Sequence, residues 1–389
     1  MSSQDQVYRE LQKHLDTPAG TFPAAESGAE IRLLKHLLTP EEAMIASQLS
    51  TLKAEPVKTI YKRSRKAGMS LSEKTIRQML DQMVYKGTVL AYQEGYRERH
   101  YRNAGAAAGG MIDFQVNRLS KDLLQDLDKY HEEIFAAREK ERKKGIRRFP
   151  ALRTIPVQKS IAPSEKYLVR TYEDVRWLVE HSPGPFSVAN CICRQMKDMR
   201  GQSCKYSDVR ETCLQIGPDH ARQYLDMKIG RPITREEAFQ VLDRAEQAGF
   251  VLMPENSQHP ENICCCCGDC CGVLGGALKS PKPADMYATN YYAEVDAALC
   301  AGCGACVKRC QLGARSLVDG KSTVNLDRCI GCGNCVATCK SGATRLRRKE
   351  DGLVPPKDNQ AITMKTLSTK LGRWNMAKLR MRWLLGLKV

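Results

Sequence analysis

Two runs of cysteine near the end of the 389-residue chain have the types and spacing for redox metal chemistry. The first is Cys300-x-x-Cys303-x-x-Cys306-x-x-x-Cys310, and the second is Cys329-x-x-Cys332-x-x-Cys335-x-x-x-Cys339. A [4Fe-4S] cube needs four soft thiolates, one for each iron, and the two-residue gaps wrap three of them around one face of the cube. Gly302, Gly304, Gly331 and Gly333 let the backbone turn tightly and bring N–H groups toward the sulfides, where they favour the reduced, more negative cluster. The repeat extends past the ligands. Cys-x-Gly-Cys-Gly-x-Cys-Val occurs twice, and Gly-Ala follows each fourth cysteine, at Gly313-Ala314 and Gly342-Ala343. Two closed four-cysteine zinc sites are the rival reading, but the doubled spacing fits cubes better.

All 18 cysteines lie between Cys191 and Cys339. No run of about 18 apolar residues suggests a membrane span, and the polar start lacks the basic and apolar regions of a signal peptide. A cytoplasmic location is expected, and in a reducing compartment closely spaced cysteines mean metal or redox chemistry rather than disulfides. The net charge of +17 admits acidic proteins, nucleic acid or an anionic membrane surface as partners. No glycine fingerprint for a dinucleotide and no phosphate loop occurs.

Between the runs, residues 315–318 and 322–326 flank Asp319-Gly320, a hairpin signal. The region 285–350 resembles the bacterial-type two-[4Fe-4S] ferredoxin, with a pseudo-twofold axis between its cubes. That resemblance implies that the fourth cysteine of each run crosses to the other cube. Cys300, Cys303, Cys306 and Cys339 would then hold one cluster, and Cys329, Cys332, Cys335 and Cys310 the other. Gln311 and Lys340 stand where the usual pattern has proline, which should cost some rigidity without removing a ligand.

Ten cysteines lie outside this module: Cys191, Cys193, Cys204, Cys213, Cys264, Cys265, Cys266, Cys267, Cys270 and Cys271. Neighbours on an extended segment point in opposite directions and seldom serve one metal. The candidate set for a third site is Cys193, Cys204 and Cys213 with members of Cys264, Cys266, Cys267 and Cys270, with Arg194 offsetting charge. A third [4Fe-4S] cluster is the leading expectation. Structural zinc and a metal-free cysteine site for catalysis or redox work are the alternatives. A capping box, Thr234-Arg235-Glu236-Glu237, opens a helix that Gly249 ends, and this helix should brace the two cysteine strings.

The N-terminal half reads as winged-helix-like over residues 39–102. Helices are expected from Thr39-Pro40, over 57–67, and from a Ser70–Glu73 capping box to about 86, followed by strands at 88–92 and 97–102. Between Thr51 and Gly110 there are 12 Lys or Arg against 5 Asp or Glu. The third helix nevertheless mixes Glu73, Gln78, Asp81 and Gln82 with Lys74 and Arg77, so protein docking is favoured over DNA binding. A charged helix over 120–144 leads to a linker near Phe149-Pro150. The last segment, 362–389, has no acidic residue. Leu367, Leu371, Trp374, Leu379, Trp383 and Leu384 sit among Lys365, Lys370, Arg373, Lys378, Arg380 and Arg382, which suits docking to an acidic partner or peripheral contact with a membrane.

The fold class is therefore read as α+β multidomain, with five segments: a winged-helix-like docking domain (1–110), a charged helix and linker (111–150), a cysteine-rich domain (151–284), a ferredoxin-like dicluster domain (285–350) and a basic amphipathic tail (351–389). The strings YRELQKHLDTPAGTFPAAESGAEIRLLKHLLTPEEA, MIDFQVNRLS, CICR, TCLQIG and NICCCCGDCCG, with the two runs, resemble a family of ferredoxin-like proteins of anaerobes. The resemblance implies an oxygen-sensitive electron carrier, or an electron-input subunit of a larger oxidoreductase with acidic redox partners. The rivals are a redox-sensing winged-helix regulator and an enzyme whose active site lies in the Cys191–Cys271 field.

Overall fold

A computed structural model describes residues 3–16, 22–93, 95, 97–105, 110–145, 149–161 and 169–384. The chain forms two compact units, one of residues 1–149, 222–230 and 363–389, the other of residues 150–221 and 231–362. Among the described residues no helix is long and apolar enough to cross a membrane.

The first unit opens with α1 (Ser3–Leu15), α2 (Ala29–Leu37) and α3 (Pro40–Ala46). In α3 the Thr39 hydroxyl accepts from the Glu42 N–H, and the Glu42 carboxylate accepts from the Thr39 N–H. Next come β1 (Glu55–Pro56), α4 (Val57–Lys66), α5 (Glu73–Tyr85), β2 (Val89–Tyr92) and β3 (His100–Asn103), with the strands in the order β1-β3-β2. Helix α5 differs from expectation at its start. Glu73 is its first residue, too early to close a box with Ser70, and Ser72 caps it by accepting from the Thr75 N–H at 3.1 Å. Strand β1, only two residues long, carries no sequence signal. Glu94 and most of the 104–110 link lie outside the described residues. Helix α6 (Lys121–Lys143) is the charged helix expected.

The second unit contains α7 (Val175–His181), β4 (Phe186–Asn190), α8 (Ile192–Met199) and β5 (Glu211–Ile216), then, after α9 (His220–Asp226), most of which belongs to the first unit, β6 (Gly230–Ile233) and α10 (Arg235–Ala248). Strands β7 (Val251–Pro254) and β8 (Asn262–Cys266) complete a five-stranded sheet in the order β6-β4-β5-β8-β7. Helix α11 (Gly272–Leu278) follows. The ferredoxin-like part comprises β9 (Tyr291–Val295), α12 (Ala305–Arg309), β10 (Arg315–Val318), β11 (Lys321–Val324), α13 (Asn334–Ala337) and β12 (Thr344–Arg348). Last, α14 (Asn359–Leu384) belongs to the first unit from residue 363; it has Leu367 and Met376 buried and holds the Lys365 ammonium 4.8 Å from the Phe149 ring centre. The side chains of Lys370, Arg373, Trp374, Trp383 and Leu384 lie outside the described residues.

Helix α10 organises the second unit. Its capping box forms as the sequence requires, with Thr234 and Glu237 exchanging bonds of 3.2 and 3.0 Å. Gly249 ends it in the left-handed conformation at φ 78°. Ala238, Val241, Leu242 and Ala245 pack with Leu214, Leu252, Ile263, Cys265 and Cys267 in one apolar cluster, so the helix covers one face of β5, β7 and β8. Replacing Thr234 with Ala removes one reciprocal cap. It should lower the unfolding temperature of the anaerobically prepared protein by a few degrees with its iron content unchanged, measured by circular dichroism and iron analysis.

Candidate metal centres

Strands β9 and β12 pair antiparallel, with Tyr291 opposite Arg348, and β10 and β11 form a hairpin with Arg315 opposite Val324. The turn of that hairpin is Asp319-Gly320, both at positive φ, 49° and 72°. The two cysteine runs wrap around short helices that start after Gly304 and Gly333. At Gly302 a Cβ would lie 2.2 Å from the Gly320 carbonyl oxygen, and at the equivalent Gly331 it would lie 2.3 Å from that of Tyr291. Only glycine allows both the positive φ and this close approach.

Cys310 from the first run lines one cavity together with Cys329, Cys332 and Cys335 from the second. At the other end of the module, Cys339 of the second run lies near enough to Cys300 for their thiolates to repel. The fold thus sets Cys310 among the first three cysteines of the second run and Cys339 beside Cys300, two placements compatible with a crossed fourth ligand. Burial separates them. Cys329 and Cys335 are buried, whereas Cys303 is exposed and Cys300 half-buried. Burial pushes the Cys335 thiol up to about 12 and raises Cys310 and Cys332, so these ligands ionise only with a cation to share their charge. Cys300 is held below the ordinary thiol range by the N–H groups of Ser322 and Gly302.

The donors around the buried set fit an iron–sulfur cluster. The Ala293 N–H reaches the Cys329 sulfur at 3.4 Å, and the Ala314 N–H reaches that of Cys310 at 3.2 Å. Arg315 is buried and lines the same cavity. Its Nη2 donates to Ser322 and Thr344, while its Nε and Nη1 have no protein acceptor. Two buried guanidinium nitrogens without an acceptor, on a side chain that lines the cavity of four cysteines, suit an anionic sulfide core. Gln311 does not loosen the module as expected. It is buried, its Oε1 accepts from the Gly268 N–H at 2.8 Å, and its Nε2 donates to the Gly249 carbonyl at 2.9 Å.

Residues 292–340 match the family model of the 4Fe-4S dicluster domain. This part of the chain is a 4Fe-4S ferredoxin-like module. No curated protein and no solved structure matches the chain.

The ten remaining cysteines do not form one site. Strand β8 sends Ile263 and Cys265 to the α10 side and Cys264 and Cys266 to the other, where they pack with Val251 and Met253. On that second side a chain of touching thiols runs Cys191, Cys193, Cys271, Cys266, Cys264, Cys213. Cys266 and Cys271 are 3.4 Å apart, and Cys264 stands opposite Cys213 in the β5–β8 register. Hydrogen bonds from Cys193 and Cys266 hold the Cys271 thiol down to about 5. Cys204, Cys267 and Cys270 gather elsewhere, around Asp269. The candidate set of Cys193, Cys204, Cys213, Cys264, Cys266, Cys267 and Cys270 is therefore divided, with Cys204, Cys267 and Cys270 in one group and the other four in the second. Sequence reasoning left Cys191, Cys271 and Asp269 out of that set. The position of Asp269 between Cys267 and Cys270 was the available signal.

Arg194 lies fully buried near both groups. Its guanidinium stacks 3.9 Å from the Phe250 ring centre, donates to the Cys265 carbonyl at 2.9 Å and bonds Thr212. Despite burial, the thiols of Cys191, Cys267, Cys204 and Cys265 push its pKa upward. It is a fixed positive charge for the sulfur field, as its place beside Cys193 suggests.

Two outcomes follow for the module. Cys310→Ser should damage the cluster of the second run and leave that of the first, seen as loss of one of two reduced-state EPR signals. Arg315→Met should lower the potential of the buried cluster on the order of tens of millivolts, by removing a nearby positive charge from a low-dielectric site, measured by EPR-monitored redox titration.

Proposed function

We propose that the chain is an electron-transfer protein, or the electron-input subunit of an oxygen-sensitive oxidoreductase, and that it moves single electrons through two clusters of its dicluster module and a third in the six-thiol group. The observation that carries this reading is one continuous apolar cluster. Cys266 and Cys271 pack in it beside Leu312 and Ile330, with Cys264 and Cys332 at its edge. Cys332 belongs to the buried set of the module, so the thiol group and that set adjoin within one compact unit.

The clusters, when bound, supply one-electron carriers of low potential. The chain's own residues do the rest. Cys300, Cys303, Cys306 and Cys339 hold the outer cluster, and Cys310, Cys329, Cys332 and Cys335 the inner one. Arg315 and the Ala293 and Ala314 N–H groups stabilise negative charge at the inner position. In the six-thiol group a cube takes four ligands.

The partner side is the exposed cluster. Leu317 lies where a Cβ at Gly304 would meet it, 3.7 Å away, next to exposed Cys303, and both Leu317 and Val318 are exposed. The exposed Lys321 donates to the Cys300 carbonyl at 2.7 Å, and Lys308 and Lys340 are exposed on the same runs. An apolar patch with a lysine rim suits an acidic redox protein, which would be steered by charge and docked by apolar contact. The basic winged-helix-like region is proposed to dock protein rather than DNA.

Anaerobic iron and sulfide analysis tests the reading. About twelve of each per chain is expected, falling to about eight in a Cys193→Ser, Cys264→Ser double variant. About eight in the parent protein would remove the third cluster, and about four or fewer would remove the whole proposal.

A further inference from the structure

The Cys204 group is built differently from the dicluster site. The sulfur of Cys204 lies 3.7 Å from that of Cys267 and 3.7 Å from Oδ1 of Asp269. With Cys270, all four donor atoms fall within 4.8 Å of one another, the one such group of Cys, His, Asp or Glu among the described residues. Tetrahedral bonds of about 2.3 Å from a single ion to sulfur place the ligand atoms roughly 3.8 Å apart. A cube, by contrast, sets its ligands around a core of eight atoms. The dicluster cysteines do ring a cavity, whereas these four donors close on a point.

The surroundings agree with one ion. Asp269 points Oδ1 at the cysteines because its Oδ2 accepts from the Lys205 N–H at 2.8 Å, the arrangement that orients a carboxylate ligand. Cys204 and Cys267 are buried in the apolar cluster under α10, while Cys270 is half-buried. Cys204 comes from the stretch between α8 and β5, which has no helix or strand over residues 202–210. The other three come from the turn between β8 and α11. A shared ion would tie an otherwise irregular loop to the end of β8. The buried Arg194 charge, felt by Cys204 and Cys267, offsets part of the excess negative charge of three thiolates and a carboxylate.

We propose that Cys204, Cys267, Cys270 and Asp269 bind a single zinc ion in a closed structural site, separate from every iron–sulfur cluster of the chain. Zinc accepts sulfur and carboxylate oxygen together, holds four ligands tetrahedrally and changes no oxidation state.

Metal analysis of the full-length protein, purified without oxygen from cells supplied with iron and zinc, tests this. About one zinc per chain is expected. Cys267→Ser and Asp269→Ala should each lower zinc occupancy at least tenfold after dialysis against a chelator, with the iron content and the reduced dicluster EPR signals unchanged. Cobalt exchanged into the parent protein should give the intense near-ultraviolet thiolate band and red ligand-field bands of a tetrahedral site. Should Cys267→Ser fail to fold, Asp269→Ala and the cobalt spectrum still decide. No zinc in the parent protein, iron at this position, a loss of about four irons in either variant, or an octahedral cobalt spectrum would each overturn the assignment. Loss of the dicluster signals in the parent protein would instead count against electron transfer and leave the zinc measurement standing.

Discussion

A β-strand can show each side chain to one face only, and β8 runs through the middle of a cysteine cluster. Its residues alternate between two environments: an apolar core closed by α10, and a sulfur-rich seam beside the ferredoxin-like module. That alternation sets the chemistry of the whole unit. It keeps Cys265 in the core, sends Cys264 and Cys266 to Cys213 and Cys271, and lets the chain past the strand carry Cys267 to Cys204. A one-residue slip in the β5–β8 register would exchange these environments and place thiols against the wrong neighbours.

The second constraint is the end of α10. Its last carbonyls lack the full set of helical N–H donors, although the Gly249 N–H reaches that of Glu246 at 3.0 Å. Arg309 donates to those of Glu246 and Gln247 at 2.8 and 2.7 Å, Gln311 to that of Gly249, and Asn334 to those of Gly249 and Phe250. The arginine also brings positive charge to the negative end of the helix dipole. All three donors sit beside cluster cysteines, at 310, 332 and 335. The helix that covers one face of the sheet therefore also fixes the dicluster module against it. Any electron path between the module and the sulfur field depends on that docking.

Charge follows the same plan. Arg194 and Arg315 are buried arginines next to sulfur, each with guanidinium N–H groups that meet no protein acceptor. An unpaired cation in an apolar interior is costly. Beside thiolates or sulfide it is offset, and it lowers the cost of adding negative charge.

The cysteine runs by themselves determined the dicluster module, because two-residue and three-residue gaps with glycine between them are local geometry that the chain satisfies without help. Helices α3, α5 and α10 and the Asp319-Gly320 hairpin were legible for the same reason: caps, periodicity and turn residues act over a few positions. The cap of α5 is not legible in the same way because more than one serine precedes that helix, and the backbone uses Ser72, which makes Glu73 the first helical residue instead of the third. What only the tertiary structure decided is how ten cysteines divide. Nothing local distinguishes Cys204 from Cys213, or Cys264 from Cys267. Their partners are set by strand pairing and by which face of β8 meets α10, contacts between residues more than 45 positions apart. Gln311 shows the same limit. In sequence it is a missing proline, and in the fold it ties the dicluster module to the backbone at Gly249 and Gly268.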